Sequence, residues 1–295
     1  MATKTAVITI AGRPNVGKST LTNCLVGEKI AIVSNKPQTT RNRICGILTQ
    51  DKIQYVFMDT PGFHKPRTKL GDYMVNVTRE SISDVDLTIL LVEPVASIGL
   101  QEQGLIDRIK EKKCPAVLVI NKIDTVEKDM LLEVISLYSQ AASFNAIIPV
   151  SAKTGDGVDA LLAECKKYAV DGPFLFPEDS TTDQPERQVM SEIIREKILW
   201  SLDREIPHGT AVEITKFSER DNGIIDIDAT IYCEKESHKG IIIGKRGDML
   251  KKISSMARAD CEKFMGTRVY LTTWVKVKEN WRDSDFLVRN FGYSD

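Results

Sequence analysis

The chain has 295 residues, a formal net charge of −1 and 27% charged residues, enough for two domains of ordinary size. The near-neutral balance means that any basic, nucleic-acid-facing surface must be local. The longest apolar runs, "LTILLVE" and "AVLVINK", are of strand length and far below the ~18 residues of a membrane span.

A strand pattern begins within a few residues of Met1, so no signal peptide is expected. Cys24, Cys45, Cys114, Cys165, Cys233 and Cys261 are scattered singly, and His64, His208 and His238 form no ligand cluster. This predicts reduced thiols in a cytoplasmic protein without a structural metal site.

From residue 5 to about 170, short apolar strands alternate with helical stretches. The strands read "TAVITIAG", "RICGILTQ", "QYVFMDT", "LTILLVE", "AVLVINK" and "AIIPVSA", with amphipathic segments over 101–113 and 129–142. This alternation predicts an α/β domain over 1–172, with a mostly parallel sheet and helices on both faces. Residues 173–188, within the proline-rich "GPFLFPEDSTTDQPERQ", read as a linker. Beyond it, over 189–295, the order becomes helix ("VMSEIIREKILWSL"), strands "TAVEITKF" and "IIDIDATIYCE", a glycine loop, a helix from about Asp248 to Phe264, and the strand "RVYLTTWVKV". That order predicts a smaller α+β domain, with its first two strands antiparallel and a short helix in the tail ending near Gly292.

"GRPNVGKS" (Gly12, Arg13, Pro14, Asn15, Val16, Gly17, Lys18, Ser19) matches G-x-x-x-x-G-K-S after a strand and before a helix, with Thr20 next. Such a loop turns backbone N–H groups inward as an anion nest. Lys18 reaches the β and γ phosphates, and the Ser19 hydroxyl ligates Mg²⁺. "DTPG" (Asp59, Thr60, Pro61, Gly62) closes a strand, placing a carboxylate beside Mg²⁺, through water, and the Gly62 N–H at the γ-phosphate. "NKID" brings Asn121, Lys122 and Asp124, whose carboxylate can accept both guanine N1–H and N2–H₂. "SAK" (Ser151, Ala152, Lys153) offers the Ala152 N–H to guanine O6. Each closes a strand, where open α/β sheets bind ligands. GTP is therefore expected rather than ATP.

Within "KPQTTRNR" (36–43), Thr40, or alternatively Thr39, closes over the γ-phosphate and gives Mg²⁺ a second hydroxyl. After "DTPG", Ras-type GTPases carry a glutamine that orients the attacking water. Here the position is Phe63, which cannot hydrogen-bond a water, so hydrolysis is slow or uses another device. His64 is a minor candidate base.

A second loop, "GKRG" (Gly244, Lys245, Arg246, Gly247), lacks the spacing and Lys-Ser pair for a triphosphate. A G-x-x-G turn before a helix instead matches the loop by which KH domains clamp single-stranded RNA, and the surrounding element order is that of a type II KH domain. Lys239, Ile243, Lys251 and Lys252 extend the expected RNA surface.

These motifs together, with "FPED" and "SEIIREKI" between them, resemble the Era family of bacterial GTPases over essentially the whole chain. The resemblance implies a GTP-hydrolysing switch acting in 16S rRNA processing and small ribosomal subunit assembly. It also implies binding of the 16S rRNA 3′ end, a monomer, and peripheral association with the inner membrane. A loop reading "PNVGKS" further resembles potassium-activated GTPases, in which Asn15 helps hold K⁺ against the phosphates. Asn15 as a simple stabiliser of the turn is an equal alternative. The rival to the switch is a GTP-binding scaffold whose second domain meets a protein or membrane without significant turnover.

Overall fold

The computed structural model describes residues 3–36, 39–59, 68–70, 74 and 85–293. The chain forms two compact units, one of residues 1–31, 40–66 and 74–183, the other of residues 32–39, 67–73 and 184–295.

The first unit is built on a sheet in the order β2-β3-β1-β4-β5-β6. Its strands are β1 (Lys4–Gly12), β2 (Ile44–Gln50), β3 (Ile53–Asp59), β4 (Leu87–Val92), β5 (Ala116–Ile120) and β6 (Ala146–Pro149). β1 runs parallel to β3 and β4, β4 to β5, and β5 to β6, whereas β2 is antiparallel to β3. A short β7 (Val170–Asp171) adds antiparallel to β1. The nearly unbroken apolar strands have a direct cause. Ile8, Ile10, Ile89, Leu91, Val117 and Val119 join one core with helices α1 (Lys18–Val26) and α4 (Val158–Cys165). Their neighbours Leu90, Val92, Leu118 and Ile120 face α2 (Leu100–Lys112) and α3 (Lys128–Ala141) in another. With both faces buried, β3, β4 and β5 leave no position for alternation to water.

Parallel strands put the carboxyl ends of β1, β3, β4, β5 and β6 on one edge, with all the described nucleotide motifs on or just beyond them. Of residues 173–188, expected to connect the domains, 173–183 run packed along the first unit. The buried Gln54 side chain donates to Phe176 O at 2.9 Å and accepts from the N–H of Leu175 (2.8 Å) and Phe176 (2.9 Å). Ile47 N donates to Thr181 O, and Cys45 N to Asp183 Oδ1 at 3.0 Å, along the edge of β2.

The second unit has a three-stranded sheet, β10 (Val269–Val277), β9 (Ile225–Cys233) and β8 (Ala211–Glu219) in that order, with β8 antiparallel and β10 parallel to β9. Met190, Ile194, Ile198 and Leu202 are buried along and just beyond α5 (Glu186–Ser201), against Ile225, Ile227, Ala229 and Ile231 of β9. The predicted helix after the glycine loop is α7, Asp248–Met265. The tail carries α8, Asp285–Asn290, with Gly292 at φ 81° just beyond. One helix was not anticipated: α6, Glu236–Ile243, precedes the loop, so two helices flank "GKRG". Residues 32–36 and 39 also pack in this unit, where Val33 N donates to Glu196 Oε1 (2.8 Å) and Trp200 Nε1 to Val33 O (2.9 Å). Among the described residues no helix is long and apolar enough to cross a membrane.

Candidate nucleotide site and RNA-binding loop

The chain turns sharply after β1 because Gly12 leaves no room for a side chain. A Cβ there would lie 2.5 Å from Leu91 O and 2.9 Å from Val16 Cγ2. Asn15 (φ 65°) and Gly17 (φ 102°) are left-handed, and Gly17 caps α1 without a side-chain acceptor. A Cβ on Gly17 would fall 2.3 Å from Asn121 Nδ2. A helix start without a side-chain cap is a ready anion site.

Lys18 is buried and its ammonium donates to Gly12 O (3.1 Å) and Arg13 O (2.8 Å). Burial lowers its pKa to about 8, opposed by the Asp59 carboxylate. Ser19 Oγ and Thr40 Oγ1 are 2.8 Å apart. Thr39 takes no part in that pair: its hydroxyl donates to Lys36 O at 2.6 Å. Asp59 is fully buried, and among the described residues neither carboxylate oxygen has a hydrogen-bond partner at ordinary geometry. Burial pushes its pKa up to about 6, against the pull of Lys18 and the Ser19 and Thr40 hydroxyls. An orphaned carboxylate beside two facing hydroxyls suits a hard divalent cation such as Mg²⁺, which takes oxygen ligands and keeps several waters. Thr60, Pro61, Gly62, Phe63 and His64, together with Pro37 and Gln38, lie outside the described residues.

At the base-recognition end, Asn121 acts as a brace. Its Nδ2 donates to Val16 O (2.8 Å) and its Oδ1 accepts the Ala152 N–H (3.0 Å). The Ala152 N–H, expected to meet guanine O6, is thus already donated within the protein. Ser151 Oγ donates to Asp124 Oδ1 at 2.7 Å, orienting an exposed carboxylate. Lys153 is exposed, whereas Thr20 is half-buried in the first turn of α1.

The motif residues Arg13 and Lys122 are engaged by carboxylates that the motifs do not contain. Lys122 Nζ donates to Asn15 O (2.8 Å) and pairs with Glu93. Arg13 pairs with Glu93 (3.3 Å) and with the buried Glu102 (2.8 Å), whose other oxygen accepts the Gly99 N–H at the start of α2. Glu93 follows β4 directly, and that position at the carboxyl edge was the only signal the sequence offered.

The second loop is built differently. Gly244 (φ 76°), Arg246 (φ 55°) and Gly247 (φ 85°) all have positive φ. A Cβ on Gly244 would come within 2.6 Å of Met249 Cβ, while one on Gly247 would meet open space. Lys245, Arg246, Lys251 and Lys252 are exposed. Ile243 and Lys239 are half-buried, with Lys239 paired to Glu236 at 3.8 Å.

Family models match both units: a 50S ribosome-binding GTPase over residues 7–122 and a KH domain over residues 205–282. The chain is 53% identical to GTPase Era of Ruminiclostridium cellulolyticum, covering 99% of this chain and 98% of that protein. It is 49% identical to GTPase Era of Clostridioides difficile, over 99% of each. Two solved structures superpose with a TM-score of 0.94 at 36% identity, each covering 99% of this chain and 100% of the other. One is Era in complex with MgGDPNP and nucleotides 1506–1542 of 16S ribosomal RNA; the other is a variant of Aquifex aeolicus Era bound to GDP·AlF₄⁻. On matches of this extent, the chain belongs to the Era family of GTPases, with a GTP-hydrolysing first unit and a KH RNA-binding second unit.

Proposed function

We propose that this chain binds the 3′ end of 16S rRNA through its KH unit and hydrolyses GTP as a switch in small-subunit assembly. The observation that carries the nucleotide half is the buried Asp59 carboxylate, without a hydrogen-bond partner at ordinary geometry among the described residues, beside the Ser19–Thr40 hydroxyl pair at the foot of the phosphate loop. The RNA half is supported by the exposed Lys245–Arg246 pair between two glycines of positive φ, and by the relative seen with nucleotides of that rRNA.

In this reading Gly12, Arg13, Pro14, Val16 and Gly17 shape the loop around the phosphates, and Lys18 supplies the charge. Ser19 and Thr40 would ligate Mg²⁺, with Asp59 acting through water, and the metal would neutralise charge on the β and γ phosphates. Thr60, Pro61 and Gly62 complete the γ-phosphate end. Asp124, oriented by Ser151, selects guanine, while Asn121, Lys122, Ala152 and Lys153 frame the base. Asn15 as a K⁺ ligand is a further part of the proposal. Its left-handed backbone and its carbonyl bond to Lys122 fix where its exposed side chain starts. Monomeric state, cytoplasmic residence and peripheral inner-membrane contact belong to the proposal on family resemblance alone.

The deciding experiment is GTP turnover with and without an RNA carrying the 16S 3′ end, in K⁺ and in Na⁺ at equal ionic strength. RNA-stimulated turnover supports the switch; binding without turnover supports a scaffold instead. Equal rates in the two salts remove Asn15 from catalysis. Asp124→Asn should lose GTP affinity by roughly two orders of magnitude and gain affinity for xanthosine triphosphate, because a site built around a polar pair rejects the analogue that breaks it.

A further inference from the structure

Strand β10 carries a surface that the glycine loop does not account for. Its odd-numbered residues face the helices: Val269, Leu271, Val275 and Val277 pack on the core, and Thr273 Oγ1 lies 2.8 Å from Ser254 Oγ of α7. Strand alternation therefore turns Tyr270, Thr272, Trp274 and Lys276 to the opposite face. Arg268 and Lys278 continue the row, since Ile225 N bonds Arg268 O and Lys278 N bonds Cys233 O. Tyr270 and Trp274 are 60% and 58% exposed, and Arg268, Lys276 and Lys278 are exposed too.

The row thus reads Arg-Tyr-Thr-Trp-Lys-Lys, with two open rings, three cations and no acid. The acids of this face stand on the other two strands: Asp226 and Asp228 of β9 opposite Tyr270 and Thr272, and Glu213 of β8, which accepts the Tyr232 hydroxyl at 2.9 Å. Asp226 is neutralised by Arg220 (2.5 Å) and Lys216 (3.3 Å), and the Arg220 guanidinium lies 5.3 Å from the centre of the Tyr270 ring. β10 is an outer strand of its sheet, and α6 and α7, which flank the glycine loop, both pack against it. Loop and row therefore share one border of the unit. A G-x-x-G loop clamps about four nucleotides, so a longer strand must continue onto something. Aromatic faces that accept any base, spaced ~13 Å apart and edged by cations, form the surface on which single strands stack.

We propose that the outward face of β10, centred on Tyr270 and Trp274 and edged by Arg268, Lys276 and Lys278, is a stacking platform for single-stranded RNA that runs past the glycine loop. It rests on the reading of the second unit as RNA-binding and extends it to a second surface.

The test uses the full chain and two RNAs from the 16S 3′ end, one of about four nucleotides and one of about twelve. Tyr270→Ala with Trp274→Ala should weaken the longer RNA roughly tenfold or more and leave the shorter one unchanged. Tyr270→Phe with Trp274→Phe, which keeps both rings, should restore most of the loss. Equal binding of the longer RNA by wild type and the alanine variant overturns the platform. So does a uniform loss for both lengths, or a loss confined to anionic phosphatidylglycerol vesicles. Failure of wild type to bind either RNA overturns the RNA reading itself, a separate outcome.

Discussion

The phosphate loop and the KH loop use the same backbone device and put it to different ends. Both place a left-handed glycine, Gly17 or Gly247, at the start of a helix with no side-chain cap. Around Gly17 everything is committed: Lys18 is buried against two carbonyls, Asn121 leans on the turn, and Glu93 holds Lys122. Around Gly247 the basic side chains stand in water and a Cβ would touch nothing. A rigid pocket suits one small, highly charged ligand whose position must be fixed. An open cationic turn suits a polymer that passes over it, where affinity comes from counterion release.

The contrast breaks most severely at Lys18. Lys18→Ala removes a buried charge and should cut GTP affinity by roughly two to three orders of magnitude. Nucleotide titration checks this, and RNA binding should be unchanged. Reversing the open loop should do the opposite. Lys245→Asp with Arg246→Asp should abolish tight RNA binding, and each lost contact should flatten the plot of log affinity against log salt by roughly 0.7. GTP binding by that variant should match wild type.

A finer test compares the glycines. Gly247→Ala meets open space, so its cost is the left-handed backbone alone, about 1–2 kcal/mol, read from the urea midpoint. Gly17→Ala adds a clash with Asn121 and should cost more in nucleotide binding than Gly247→Ala does in stability.

The smallest effect is on pH. Asp59 titrates near 6 in the folded chain, against an ordinary 3.8. The folded state therefore holds a proton that the unfolded chain has lost. Its ligand-free stability should fall as pH rises from 3.8 to about 6, then level off. Stabilisation by Mg²⁺ should grow through the same window and be absent in Asp59→Asn. Melting curves at several pH values with and without Mg²⁺ measure both.

Much of this site was legible in the sequence, because its motifs are contiguous and each sits where a buried strand ends. Gly12, Lys18, Asp59, Asn121 and Ser151 needed only the strand pattern to be placed on one edge. What stayed hidden depends on residues distant in the chain. Glu93 and Glu102 look like any surface acids until folding brings Arg13 to them. The Ala152 N–H looked free for guanine until Asn121 took it. Helix α6 was missed because "GIII" is an unbroken apolar run; Ile242 is buried and Ile241 is exposed, an asymmetry that sequence spacing does not display.

The segment running along β2 has a practical consequence. β2 is an outer strand, and unpaired outer strands recruit partners from other molecules. Thr181 and Asp183 occupy its free N–H groups at Ile47 and Cys45, while Gln54 pins the chain upstream. A first unit expressed alone and ended at Gly172 would carry a bare, self-adhesive border and tend to clump. Ended after Asp183, it would keep its own selvedge.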